Sequence, residues 1–404
     1  MKIKKILAWG DSPLSTTGMG KVNHEILKRL VATGRYEVTF VGIHYFGGNY
    51  NRNTHPYNMV VANQDGRNLL GRNTFLNELS SDKWDIVFTH QDLLNINPIA
   101  DLILEARKES GFKWITYSPI DIDRLQLSDI RCVGLADFAA TYSEFGKGVV
   151  DNLSNEIGKN IHSMWLGTDL DKFNPTTADE KKRLRKDIFS ITDDDTFMVL
   201  NVNANRLRKD LPRTILSFKY FSDKHPNSIL YIHAPKVDYG GDLERVAQVT
   251  GLDSEKIIYN PKLNPVFGVD EAKMRDVYGC SDVVMSTSVA EGWGLSCTEA
   301  FACGIPTLFP KHTSLVEIIG KKAERGYFVG MAGNRVMDWN MGSYWFPLCN
   351  EKSGAEMLEY IYNNRDKALG KAKLALTWVK EHTWDVIGSK WVDIFDKIGD
   401  TDEP

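Results

Sequence analysis

The chain has no apolar run approaching the ~20 residues that a membrane-spanning helix needs, and no internal repeat or low-complexity tract. Cysteine is sparse. The five thiols (Cys132, Cys280, Cys297, Cys303 and Cys349) are scattered, odd in number and without a CxxC pair. That argues against a disulfide framework or a zinc site, and for reduced core thiols in a cytoplasmic compartment. No His or Cys cluster shows transition-metal ligand spacing. Excess charge of one sign is small too: a net charge of -4 excludes a globally basic nucleic-acid binder but leaves room for a local basic patch. The opening Met1–Asp11 is basic and briefly apolar, lacks a small-residue cleavage site, and reads as a first strand.

What is present is a globular composition, 42% hydrophobic and 25% charged, on a chain of 404 residues. That length exceeds one typical core and implies two domains. Short apolar runs alternate with amphipathic stretches, the mark of βα units and a parallel sheet. Strands are expected at Ile3–Trp9, Val38–Ile43, Asp85–Thr89, Trp114–Ser118, Phe138–Tyr142 and Ile161–Trp165, with helices at Lys21–Ala32 and Ile99–Lys108. A second series is expected at Phe197–Val202, Ile229–His233, Lys256–Tyr259, Val283–Thr287 and Thr307–Phe309. The turn-rich Gly167–Pro175 separates the two as a linker. The charged run Asp179–Asp187 reads as the solvated face of a helix, and Trp378, Trp384 and Trp391 are spaced to bury on a domain surface. Two Rossmann-like α/β domains follow, whose ligands belong at the carboxyl ends of the strands.

Two segments at such strand ends carry chemistry. After the first strand, Gly10 to Lys21 is a glycine-containing loop that opens a helix with Gly18 and Gly20, where backbone N–H groups face an anion. It is neither the dinucleotide fingerprint, which needs glycine where Asn23 stands, nor a P-loop, which fails at Ser15 and Val22. A tight turn without ligand and a phosphate contact both remain open for it. The second segment runs from Ser286 to Ala300. Gly292 and Gly294 stand where a helix begins and let a diphosphate approach the helix start, with Trp293 between them and Leu295 after them. Glu299, farther into the helix, can accept hydrogen bonds from ribose hydroxyls, and Glu291 can reach the sugar beyond the diphosphate. Upstream, Arg206, Arg208 and Lys209 put cations at the carboxyl edge of the same sheet, where a departing diphosphate needs neutralising.

The spacing Glu291-x7-Glu299 around Gly-Trp-Gly-Leu, followed by Ala302-Cys303-Gly304-Ile305-Pro306, resembles the signature of retaining glycosyltransferase family 4. The resemblance spans most of the chain, from the glycine loop through Gly167-Thr168-Asp169, Phe173 and Pro175 to Arg206 and Lys209. It implies a GT-B fold, with a cleft between two Rossmann-like domains and a C-terminal helix crossing back. The acceptor domain would be 1–170 with a return of about 385–404, and the nucleotide-sugar domain 171–384. Carried over, Arg206 and Lys209 bind the diphosphate, with Arg208 beside them. Glu299 holds the ribose, Glu291 the transferred sugar, and Gly18 and Gly20 the diphosphate from the other domain. His90 looks like the family's histidine near the reacting carbon. The usual glycine-arginine is Asn205-Arg206 here and the Arg206–Lys209 spacing is short, which leaves the division of labour among the three cations open.

The resemblance further implies transfer with retention, by front-face displacement assisted by the leaving diphosphate, from a UDP-sugar or another nucleoside-diphosphate sugar. No cofactor or metal is expected: Asp121-Ile122-Asp123 matches a D-x-D pattern, but in the first half and away from the donor segment. For the acceptor, residues 1–75 hold ten Lys or Arg against four acids, a net of +6, and His44–Asn73 interleaves Tyr45, Phe46, Tyr50 and Tyr57 with Arg52, Arg67 and Arg72. That composition suits a polyanion with stackable bases, such as DNA whose hydroxymethylated base is flipped out to receive a sugar. Trp9-Gly10-Asp11-Ser12-Pro13 is also similar to phage-type, DNA-modifying members. A mobile loop serving a glycan or small molecule is the alternative acceptor reading. A nucleotide-sugar epimerase or a non-catalytic sensor would share the architecture but show no acceptor-dependent release.

Overall fold

The structure, a computed structural model, describes residues 3–63, 66, 68–259, 271–339 and 342–400. It divides into two compact α/β units: the first runs through Gly167 and resumes at Trp384, and the second holds Thr168–Trp339 and Ser343–Thr383.

The first unit is built on seven parallel strands: β1 (Lys4–Asp11), β2 (Tyr36–Ile43), β3 (Asn58–Val61), β4 (Ile86–His90), β5 (Lys113–Ser118), β6 (Phe138–Thr141) and β7 (Ile161–Ser163). Their order is β3-β2-β1-β4-β5-β6-β7, so the chain reverses its direction of winding between β1 and β4. Trp9, Phe75, Trp114 and Ile103 lie in the core on one face. On the other face the returning helix Trp384–Asp400 brings Trp391 against Phe88, Tyr117 and Phe138. Tyr36 Oη donates to Asp396 at 2.6 Å, and Arg29 and Arg35 pair with Asp385 and Asp396. The helix is therefore held both by buried aromatic area and by charge.

The second unit repeats the plan with β8 (Phe197–Val202) and β9 (Ser228–His233). Two short strands, β10 (Val237–Asp238) and β11 (Gly241–Asp242), form an antiparallel ladder. The sheet continues with β12 (Ile257–Tyr259), β13 (Val283–Met285), β14 (Thr307–Pro310) and β15 (Tyr327–Val329). The order β12-β9-β8-β13-β14-β15 is all parallel, with its reversal between β8 and β13. β16 (Met331–Trp339) and β17 (Gly342–Cys349) pair as a separate two-stranded sheet.

Three sequence expectations need correction. The stretch from His44 to Asn73 is not one long loop: Asn58–Val61 is the edge strand β3 and a helix begins at Arg72. The first helix starts at Gly18, three residues before the expected Lys21, because Thr17 caps it by accepting the Gly20 N–H at 3.0 Å. The charged run Asp179–Asp187 is not wholly solvated. Arg185 is buried, donating to Cys280 O at 2.8 Å and Thr196 O at 3.0 Å and pairing with Asp282 at 2.6 Å.

Candidate donor site and its acceptor-side counterpart

In open α/β sheets, ligands settle outside the carboxyl ends of the strands where the winding reverses. In the second unit that place is the exit of β8 and β13, and there the two loops are bound to each other. Asn203 Nδ2 donates to Asn201 Oδ1 at 3.0 Å and to Ser286 Oγ at 3.2 Å, and Thr214 and Thr287 share a 2.7 Å hydroxyl bond. Thr287 Oγ1 donates to Asp210 O at 2.8 Å, and the Val289 N–H donates to Arg208 O at 2.8 Å.

This polar seam brings Lys209 Nζ to 2.5 Å from Glu291 Oε1, with Arg208 Nη1 3.7 Å from Oε2. Glu291 is buried. Burial opposes its ionisation, but the Lys209 ammonium and the Arg208 guanidinium outweigh it and hold the carboxyl below the usual range. An ionised carboxylate between two cations forms a compact, dry, charged site. Arg206, by contrast, turns to the β10–β11 ladder, with Nη1 3.6 Å from Asp238 Oδ1.

Gly292, Trp293 and Gly294 are buried, and the helix Leu295–Ala302 opens at Gly294. Gly294 has φ 110°, a conformation that disfavours a side chain, and a Cβ there would sit 2.8 Å from Leu315 Cδ2. Glu299, one turn inside the helix, accepts from Tyr278 Oη at 2.7 Å. Burial and the neighbouring Glu299 carboxylate raise Tyr278 well above the usual phenol value, so it acts as a donor. Phe173, in the segment read as a linker, packs edge-on to Tyr278 at 5.9 Å and so braces the ring that donates to Glu299.

Three contributors escaped the sequence reading. Ser314 Oγ donates to Glu291 O at 2.9 Å and Trp293 O at 2.7 Å and fixes the loop's path. His312 Nε2 meets Ser288 O at 3.1 Å, and burial pushes its imidazole down to about 4, so it donates as a neutral ring. Tyr278 is the third. All three are ordinary residue types without a spacing signal, recognisable only once β13 and β14 lie side by side.

The first unit's reversal point holds both the glycine loop and His90, since Gly10 and His90 are register partners on β1 and β4. Gly20 packs so closely on Ser12 and Ser15 that a Cβ would overlap them. The His90 ring is fully buried, with Nδ1 2.7 Å from Asn23 Oδ1 and Nε2 2.5 Å from Tyr142 Oη. Asn23 spends its amide N–H on Asp11 O at 2.7 Å, so its carbonyl faces His90. The ring is thus the Nδ1–H tautomer, with Nε2 accepting from Tyr142. Burial lowers it to about 3, keeping it neutral. Beside it Asp11 accepts from Thr17 Oγ1 at 2.7 Å and Gln91 Nε2 at 3.0 Å.

Asp123 of the D-x-D pattern lies on a groove of about 570 Å³ with Arg124, Glu144 and Phe145, within the first unit. No group of three or more potential metal ligands occurs among the described residues. No helix among them is long and apolar enough to cross a membrane.

With this geometry in hand, the class of the molecule can be stated. Residues 185–334 match the family described as Glycosyl transferases group 1, so the second unit carries a domain of that group and the chain is a glycosyltransferase. The whole chain shares its fold with solved GT-B structures. HepE (Alr3699) from Anabaena, in complex with UDP-glucose, superposes with a TM-score of 0.73 at 14% identity, covering 98% of this chain and 100% of that one. A glycosyltransferase from Rickettsia africae gives 0.73 at 16% identity over 99% and 100%. Sucrose-phosphate synthase from Thermosynechococcus elongatus gives 0.73 at 14% over 98% and 99%. Comparison with curated protein sequences finds no match.

Proposed function

We propose that the protein is a retaining glycosyltransferase that moves a sugar from a nucleoside-diphosphate sugar, a UDP-sugar first among the candidates, to an acceptor hydroxyl. The observation that carries this is the meeting of Lys209 and Arg208 with ionised Glu291 at the exit of β8 and β13. Cations there stabilise charge building on the leaving diphosphate, the largest contribution a preorganised site makes to such a transfer. Glu291 accepts hydrogen bonds from the transferred sugar, Glu299 from the ribose, and Gly292–Leu295 admits the diphosphate to the helix start. Gly18 and Gly20 open the helix that follows β1 in the acceptor unit. With the leaving group's charge carried by protein cations, the reaction needs neither metal nor cofactor.

In this reading retention follows from the leaving diphosphate taking the acceptor's proton on the face it departs from. His90 orients the acceptor unit's strand ends as a neutral ring and exchanges no proton, since both its nitrogens are engaged.

Two acceptor classes divide on one observation. A hydroxymethylated base in DNA is supported by the basic, aromatic segment 44–73. Within that segment, however, Arg52 donates to Tyr57 O and Asn58 Oδ1, both at 2.9 Å, and Arg72 donates to Asn95 O at 3.0 Å. Part of the donor capacity of Arg52 and Arg72 thus serves the protein's own fold, which supports a glycan or small-molecule acceptor; Arg67 lies outside the described residues. The test is release of free nucleoside diphosphate across donors, with hydroxymethylated DNA, plain DNA and glycans as acceptors. Release stimulated only by hydroxymethylated DNA selects the base acceptor, and release by glycans alone removes it.

A further inference from the structure

Three cations crowd one turn at the exit of β8, and they do not do the same work. Leu207–Lys209 is a single 3₁₀ turn, in which residues three apart would share a face. Arg206 escapes that rule because it precedes the turn in extended conformation, with φ -126° and ψ 150°. Its guanidinium carbon lies 4.3 Å from the Tyr239 ring centroid, and Nη1 lies 3.6 Å from Asp238 Oδ1. Both partners belong to the β10–β11 hairpin. Asn205 grips the same hairpin: its Nδ2 donates to Gly241 O at 2.9 Å and its carbonyl accepts the Gly240 N–H at 2.9 Å. Gly240 lies so close to Asn205 that a Cβ would overlap it. Arg208 faces the other way. Its carbonyl accepts from Val289 N at 2.8 Å and Ser288 Oγ at 3.2 Å, and its Nη1 donates to Ala290 O at 2.7 Å while lying 3.7 Å from Glu291.

We infer that Arg208, and not Arg206, is the second cation that meets the donor's diphosphate beside Lys209, while Arg206 and Asn205 fasten the Val237–Asp242 hairpin. This rests on the donor-site reading above. Arg206 would have to give up an ion pair with a largely buried carboxylate and its stacking on Tyr239 to reach a phosphate. Arg208 already stands at the donor segment, on Ala290 O and beside Glu291. Its planar fork carries five N–H donors, so one can stay on Ala290 O while others meet a phosphate oxygen. Lys209 and Arg208 both meet the Glu291 carboxylate, so the two cations stand at the same place in the donor segment.

The test is calorimetric binding of UDP, GDP and ADP to the full chain, with the matching monophosphate as a probe of everything except the second phosphate. Arg208→Ala should weaken the best diphosphate by ~10–100-fold, the range of a lost charged hydrogen bond, and narrow its advantage over the monophosphate. Arg208→Lys should restore part of the loss, which separates charge from folding. Arg206→Ala should leave diphosphate binding within about threefold of wild type, because its partners lie on the hairpin and not in the donor segment, and instead speed hydrogen exchange across 237–242. Equal or greater loss in Arg206→Ala, or no loss in Arg208→Ala, overturns the assignment. If Lys209→Ala still weakens binding, that failure is confined to the division of labour. A wild type that binds none of the three diphosphates sinks the donor-site reading and this inference with it.

Discussion

Acidification should destabilise the first unit through one imidazole, that of His90. The ring is fully buried, and burial lowers it from 6.5 to about 3. A depressed folded-state value means that the unfolded chain takes up the proton first. The stability tied to His90 is therefore complete above 6.5 and is lost progressively as the pH falls toward 3. Each pH unit in that window removes about 1.4 kcal/mol, so moving to about pH 5 removes about 2 kcal/mol. At a urea dependence of about 2 kcal/mol per molar, the midpoint should fall by about 1 M from this residue alone. The assay is urea unfolding of wild type and His90→Gln at about pH 7.5 and pH 5. Glutamine keeps a polar side chain without a titratable ring, so the variant starts lower but loses less on acidification. Parallel losses in both proteins would refute the reasoning, because the proton would then be binding elsewhere. His233, buried in the second unit and lowered to about 4, should persist as a smaller acid dependence in both proteins.

Lys209→Ala should cut turnover by ~10²–10³-fold, as loss of a donor to a developing anion does, and near-normal steady-state rates would remove Lys209 from the chemistry. The same change removes the nearest cation from buried Glu291 and leaves Arg208 at 3.7 Å, so the protein should also lose roughly 3 kcal/mol of stability, measured by urea unfolding. Gly294→Ala places a side chain at φ 110° against Leu315, and should cost about 1–2 kcal/mol while weakening nucleoside diphosphate binding; an unchanged melting curve would contradict this. Activity should survive EDTA, whereas complete loss restored by manganese would require a metal in the mechanism.

The sheets were legible because their strands are nearly continuous apolar runs buried on both faces, such as Phe197–Leu200 and Ile86–Phe88. Among the elements missed, two are too short to show such a run. β3 is four half-buried residues inside a segment rich in Gly and Asn, and β15 is three residues long. Glu291 and Lys209 could be placed at one sheet edge in advance because each follows a strand of the second series. The direction taken by Arg206 could not be foreseen, since it depends on one extended residue before a 3₁₀ turn and on the Val237–Asp242 hairpin. Asn23 shows the same limit. Its presence excludes a dinucleotide fingerprint, yet nothing in the sequence says that its carbonyl sets the tautomer of His90, 67 residues later.

The most direct measurement of the central claim is acceptor-dependent release of nucleoside diphosphate by wild type and Glu291→Gln, with the anomeric configuration of the product read by NMR. The account predicts release only when donor and acceptor are both present, a product of retained configuration, and turnover lowered at least ~10²-fold in the variant. Release without any acceptor, an inverted product, or a Glu291→Gln enzyme as fast as wild type would contradict it.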